Sequence, residues 1–132
     1  MEEHGERRTL LVVDDDSRIL QVLGSMLESM GYEVIGVQDG REAIGVFEAM
    51  GARCDAVLTD LKMPGLSGSD LIAILRAHRP GLPALLMTGV SGAIATDAPV
   101  LRKPFGFADL QTGLSEAFAA SPHSSIRGVT RS

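Results

Sequence analysis

The 132-residue chain has one cysteine, one tyrosine, four phenylalanines and no tryptophan. With Cys54 alone no internal disulfide can form, so a reducing cytoplasm is the compartment that fits. Cys54 itself reads as a semi-buried, inert thiol. Long hydrophobic runs are also missing: the longest uncharged stretch, Pro80 to Thr96, is broken by two prolines and three glycines, which excludes a bilayer-spanning helix there. The start, Met1 to Arg8, does not read as a signal peptide, because Glu2, Glu3 and Glu6 stand where a basic region and an apolar core would be expected. Basic charge is scarce, with 12 Lys and Arg against 17 acids and a formal net charge of -5. That sign argues against direct binding to phosphate backbones. The three histidines, His4, His78 and His123, are scattered without metal-ligand spacing.

What is present is globular in character. Hydrophobic residues make up 45% and charged residues 22% of the chain, enough apolar side chain for one buried core and one domain. Leu10 to Val13 is a short apolar run that suits a strand buried on both faces. From Ser17, the residues Ile19, Leu23, Met26, Leu27 and Met30 recur at helical spacing until Gly31 stops them. Tyr32 to Val37 reads as a second strand. Asp39 with Glu42 forms a capping-box-like start to a helix that ends near Gly51.

Ala56 to Thr59 predicts a third strand, followed by Asp60 and the turn-rich stretch Met63 to Gly68. Ser67 and Asp70 repeat the capping pattern. Leu71, Ile72 and Leu75 give the next helix its apolar face, with Arg76 and Arg79 complementing its carbonyl end. Ala84 to Met87 and Val100 to Arg102 predict two more strands. Phe107, Leu110, Leu114 and Phe118 supply the face of a last helix, which Gly113 weakens by roughly 1 kcal/mol relative to alanine. Residues 120–132 carry serines and two arginines with no apolar repeat and read as a disordered tail, and residues 1–8 as an N-terminal extension.

Strands alternating with helices predict an α/β fold with a doubly wound, five-stranded parallel sheet, whose ligands gather beyond the carboxyl ends of the strands. Asp14, Asp15 and Asp16 follow the first strand, Asp60 the third, Thr88 the fourth and Lys103 the fifth, so the polar candidates converge on one edge. Three carboxylates there repel one another, each pair by on the order of 3 kcal/mol at ~5 Å and an effective dielectric near 20. A hard divalent cation such as Mg²⁺ offsets that, whereas Asp16 reads first as an ordinary helix cap.

Four motifs, in order and each at a strand end, carry a resemblance: Leu-Leu-Val-Val-Asp-Asp-Asp-Ser at 10–17, Asp-Leu-Lys-Met-Pro-Gly-Leu-Ser-Gly at 60–68, Met-Thr-Gly at 87–89 and Arg-Lys-Pro-Phe at 102–105. Over roughly residues 9–119 the chain resembles the receiver domain of two-component response regulators. The resemblance implies a flavodoxin-like fold with strand order 2-1-3-4-5. It also implies a signalling domain that catalyses its own phosphorylation and dephosphorylation. Asp60 is then the phosphoacceptor, taking a phosphoryl group from a histidine of a sensor kinase or histidine phosphotransfer protein. Asp15, Asp60 and the backbone carbonyl of Lys62 are the implied Mg²⁺ ligands, with Asp14 completing the acidic pocket through water. Lys103 pairs with a phosphoryl oxygen, Thr88 turns its hydroxyl toward another, and Pro104 is the family's cis-proline.

Two features depart from that pattern. Only eleven residues, Gly89 to Pro99, join the fourth and fifth strands, although a parallel crossover normally takes a dozen or more. The fourth helix is therefore expected to be shortened or missing, with Ser91 to Asp97 its only plausible core. Val100 also stands where receivers usually carry a switch tyrosine or phenylalanine. Both changes remodel the usual output face and leave homodimerisation through it open. They favour output through another surface, or service as a phosphoryl sink or hybrid-kinase module. Other classes fit less well. A Mg²⁺-dependent phosphohydrolase of the haloacid-dehalogenase type would use Asp14-x-Asp16 but leaves the Asp60 motif unexplained, and a pseudo-receiver binding module would not require the full acidic and basic set.

Overall fold

The computed structural model describes residues 7–90 and 92–120, so the expected tail beyond 120 and most of the N-terminal extension lie outside the described residues. Five strands, β1 (Thr9–Val13), β2 (Glu33–Val37), β3 (Ala56–Asp60), β4 (Ala84–Thr88) and β5 (Val100–Arg102), pair in parallel in the order β2-β1-β3-β4-β5. Among the described residues there are four helices, α1 (Ser17–Ser29), α2 (Gly40–Met50), α3 (Gly68–His78) and α4 (Phe107–Ala120). A 3-10 turn, Gly51–Arg53, follows α2.

Alternation along the strands sorts the core into two layers. Leu10, Val12, Leu58, Leu85 and Met87 face one way and pack with Leu23, Leu27, Leu110 and Leu114 of α1 and α4. Leu11, Val13, Val57 and Leu86 face the other way and pack with Phe47, Leu71 and Leu75 of α2 and α3. Both faces of β1, β3 and β4 are thus covered, which is why these strands are continuous apolar runs.

The caps are where the sequence places them. Asp16 accepts the Arg18 N–H, Asp39 accepts the Glu42 N–H and Ser67 accepts the Asp70 N–H. Each satisfies an amide that the first helical turn leaves without a partner.

Several expectations are corrected in detail. Phe107 is 44% exposed and is no part of the buried face of α4, which is made by Leu110, Gly113, Leu114 and Ala117. Gly113 is more than a weak point. A Cβ there would stand 3.1 Å from the Leu85 side chain, so glycine lets α4 approach the sheet closely. Cys54 is fully buried rather than semi-buried, and burial pushes its thiol pKa up. Arg76 and Arg79 do more than complement the end of α3. Arg76 donates to the Leu82 carbonyl and pairs with Asp97 at 2.7 Å, while Arg79 donates to the Cys54 and Gly51 carbonyls and lies over the Phe47 ring.

Between β4 and β5 the described residues form no helix, only bends and irregular backbone. The shortened crossover therefore loses the fourth helix, and α4 takes the place of the fifth. Ile94 and Ala98 of this segment pack on the α3 side of the core in its stead, and the Arg76–Asp97 pair ties the segment to α3. No helix among the described residues is long and apolar enough to cross a membrane.

Candidate phosphoryl-transfer site

Each residue of the site is delivered by the end of a strand. Asp14 directly follows β1, and its backbone N–H continues the ladder to the Val37 carbonyl at 3.1 Å. The residue is 1% exposed. One carboxylate oxygen accepts the Asp16 N–H at 2.9 Å, and the other faces Lys103 Nζ at 3.3 Å. Asp15 points outward and is exposed, although one carboxylate oxygen from each of Asp14, Asp15 and Asp60 can be chosen so that all lie within 4.8 Å of one another.

Asp60 closes β3 beside Met87 of β4 and is 8% exposed. Its Oδ1 accepts a hydrogen bond from Lys103 Nζ at 3.1 Å. Behind it, α3 begins so near the Asp60 backbone that a Cβ on Gly68 would stand 2.1 Å from the Asp60 carbonyl oxygen. Only a residue without a side chain fits there. Gly68 is a positional requirement that the sequence reading, which treated the loop as turn residues, did not single out. The closest signal was glycine standing directly after the Ser67 cap.

Lys103 is placed by β5 and by a cis Lys103–Pro104 peptide bond, as expected. Its backbone N–H donates to the Thr88 carbonyl at 2.8 Å, so the ladder carries its side chain to the acidic edge. Thr88 is 1% exposed, and its Oγ1 accepts the Val90 N–H at 2.9 Å. Lys62 lies exposed in the loop after β3. Asp16 is a helix cap and stands apart from the ion pairs with Lys103.

The electrostatics follow from this crowding. Burial is the largest influence on Asp60 and raises its pKa above the ordinary aspartate value. The Lys103 hydrogen bond and charge oppose that rise, and the charges of Asp14 and Asp15 reinforce it. For Lys103, burial alone favours the neutral amine, but the Asp60 hydrogen bond and the nearby charges of Asp14 and Asp60 outweigh it and hold the pKa above the ordinary value. One ammonium thus serves two carboxylates while a third stands close by, leaving an excess of negative charge lined by oxygen donors. Without sulfur or imidazole, that donor set suits a hard divalent cation.

Comparison with known proteins agrees with this geometry. The family of the response regulator receiver domain matches residues 10–114. The probable transcriptional regulatory protein TcrX of Mycobacterium tuberculosis is 32% identical over 113 residues, covering 80% of this chain and 47% of that protein. The chain therefore spans about half the length of that curated relative or less of others. A response regulator receiver domain protein from Clostridium thermocellum superposes with a TM-score of 0.77 at 31% identity, covering 84% of this chain and 94% of that one. The response regulator TrrA of Thermotoga maritima, solved in complex with Mg²⁺ and BeF, gives a TM-score of 0.74 at 28% identity over 83% of this chain and 98% of that one. Its sheet order, its strand-end acids and a match that runs through most of its length make this chain a member of the response regulator receiver domain family of two-component systems.

Proposed function

We propose that Asp60 is the phosphoacceptor of a Mg²⁺-dependent receiver domain spanning residues 9–119, and that its donor is a phosphohistidine of a sensor kinase or phosphotransfer protein. The observation that carries this reading is the carboxylate of Asp60, nearly buried at the end of β3, gripped by Lys103 at 3.1 Å and faced by Asp14 and Asp15. A carboxylate oxygen of Asp60 attacks phosphorus while the histidine N–P bond breaks, giving an acyl phosphate. Asp15, Asp60 and the Lys62 carbonyl would hold Mg²⁺, with Asp14 completing the acidic pocket. When bound, the ion would supply charge neutralisation for the transferring group. Lys103, 3.1 Å from Asp60 Oδ1, pairs with a phosphoryl oxygen in this reading, and Thr88 turns its hydroxyl toward another.

An apolar groove supports the choice of a protein donor. Ile19, Val22 and Met26 of α1 line it together with Pro104 and Phe105, and Lys103 lies at its wall. Val22 is 60% exposed. A helix carrying the phosphohistidine fits this groove because its apolar face would cover these side chains while its imidazole reached the acidic edge.

The helix-free crossover and Val100 support an output that departs from the usual face, with the domain serving as a phosphoryl sink or as one module of a hybrid kinase. Incubation with phosphoramidate, a small N–P donor, tests the chemistry: a phosphate-affinity gel should show Mg²⁺-dependent modification that a chelator abolishes. Modification that persists in the chelator would contradict the metal-assisted reading. Partner binding that survives in Asp60→Asn without any donor would favour a pseudo-receiver instead.

A further inference from the structure

Arg102 stands directly before Lys103 and pairs in register with Thr88 across β4 and β5. Its side chain is unrelated to the acidic edge. The guanidinium donates instead to the carbonyl of Val90 and, at 2.6 Å, to that of Gly92, the residues that leave β4. Val90 donates its own N–H to Thr88 Oγ1 at 2.9 Å. A relay therefore runs from an exposed arginine, through the backbone of one residue, Val90, to the buried hydroxyl beside the phosphoacceptor strand. The core contacts of the crossover come further along, at Ile94 and Ala98, and next to β4 the two arginine hydrogen bonds hold its backbone.

We propose that Arg102 is a positioning residue, a latch that holds the backbone of Val90 and with it the Thr88 hydroxyl in the resting arrangement, opposing the turn of that hydroxyl toward a phosphoryl group on Asp60. The inference rests on the roles given above to Asp60 and Thr88. To meet a phosphoryl oxygen, Oγ1 must rotate off the Val90 N–H or carry Val90 with it. Either motion works against the latch: the first orphans an amide that Arg102 keeps in place, and the second breaks charge-assisted bonds to two carbonyls. A ligand that selects the turned state is then bound more weakly than the site alone would allow, by the population of the unlatched form. Arginine suits the task because its planar fork spans two carbonyls, which a lysine ammonium cannot reproduce.

The test is calorimetric titration of beryllofluoride, a phosphoryl mimic, into the Mg²⁺-loaded protein, comparing wild type with Arg102→Lys. Lysine keeps the positive charge near the site and removes the fork. Arg102→Lys should bind the mimic about three- to tenfold more tightly, the range expected for loss of hydrogen bonds to a partly solvated charged group. In a Thr88→Val background, which has no hydroxyl to hold, the same substitution should leave affinity unchanged. Unchanged or weaker binding in Arg102→Lys overturns the latch, as does equal tightening with and without the Thr88 hydroxyl. Failure of wild type to bind the mimic while still binding Mg²⁺ would instead remove the phosphoacceptor reading, and the latch with it.

Discussion

At the scale of single residues, the ionised carboxylate of Asp60 costs the fold stability while the site lacks a cation. Its pKa is raised, first by burial and then by Asp14 and Asp15, against the pull of Lys103. A carboxyl with a raised folded-state pKa contributes stability that is fully present below its unfolded value, near 3.9, and lost as pH rises through the folded value. Above the folded value that contribution is gone. Asp60→Asn should therefore melt higher than wild type at pH 7 in the absence of divalent cations, and the difference should shrink toward pH 3. Scanning calorimetry across that range checks it, and a lower melting temperature for Asp60→Asn at pH 7 would contradict the electrostatic account. Lys103 keeps a partner in this variant, because its bond to Asp14 remains.

Among the elements, strand ends and helix caps were legible because they are local. Asp16, Asp39 and Ser67 were readable as caps from their own neighbourhoods, and the structure uses all three. The strand-end rule likewise brought Asp14, Asp60 and Lys103 to one edge before any distance was known. Contacts between distant segments were not legible. Arg79 reaches back to the Gly51 turn and Arg102 to Val90, and nothing in the spacing of either residue announces its carbonyl partners. Glycines at close approaches were hidden for the same reason, since Gly68 and Gly113 owe their identity to Asp60 and Leu85 rather than to their own segments. Phe107 fits a helical stripe by spacing, yet it stands at the first turn of α4, where the helix has not yet met the sheet. The α1 groove gives this scale its prediction. Val22→Asp places a charge in the apolar wall far from the caps, so it should slow phosphotransfer from a protein donor at least tenfold while leaving phosphorylation by a small donor within about twofold, as expected when an interface anchor costs about 1.4 kcal/mol or more. Equal slowing with both donors would show that Val22 supports the site and not the docking.

For the whole molecule, the two core layers hold β1, β3 and β4 rigidly between helices, and the acidic edge is the place where that frame keeps like charges together. Anything that binds this edge only in the folded state must stabilise the entire domain by linkage. Mg²⁺ at a hundredfold excess over its dissociation constant should add about 2.7 kcal/mol, visible as a rise in melting temperature. Asp15→Asn, which removes an exposed carboxylate without disturbing the core, should sharply reduce that rise. An equal response in the two proteins would remove Asp15 from the ligand set.

The central claim is that Asp60 accepts the phosphoryl group. Intact-protein mass after incubation with acetyl phosphate and Mg²⁺, measured on wild type and Asp60→Asn side by side, tests it most directly. The account predicts a single phosphoryl adduct on wild type and none on Asp60→Asn. The same adduct on both proteins, or none on a wild type that binds Mg²⁺ normally, would contradict it.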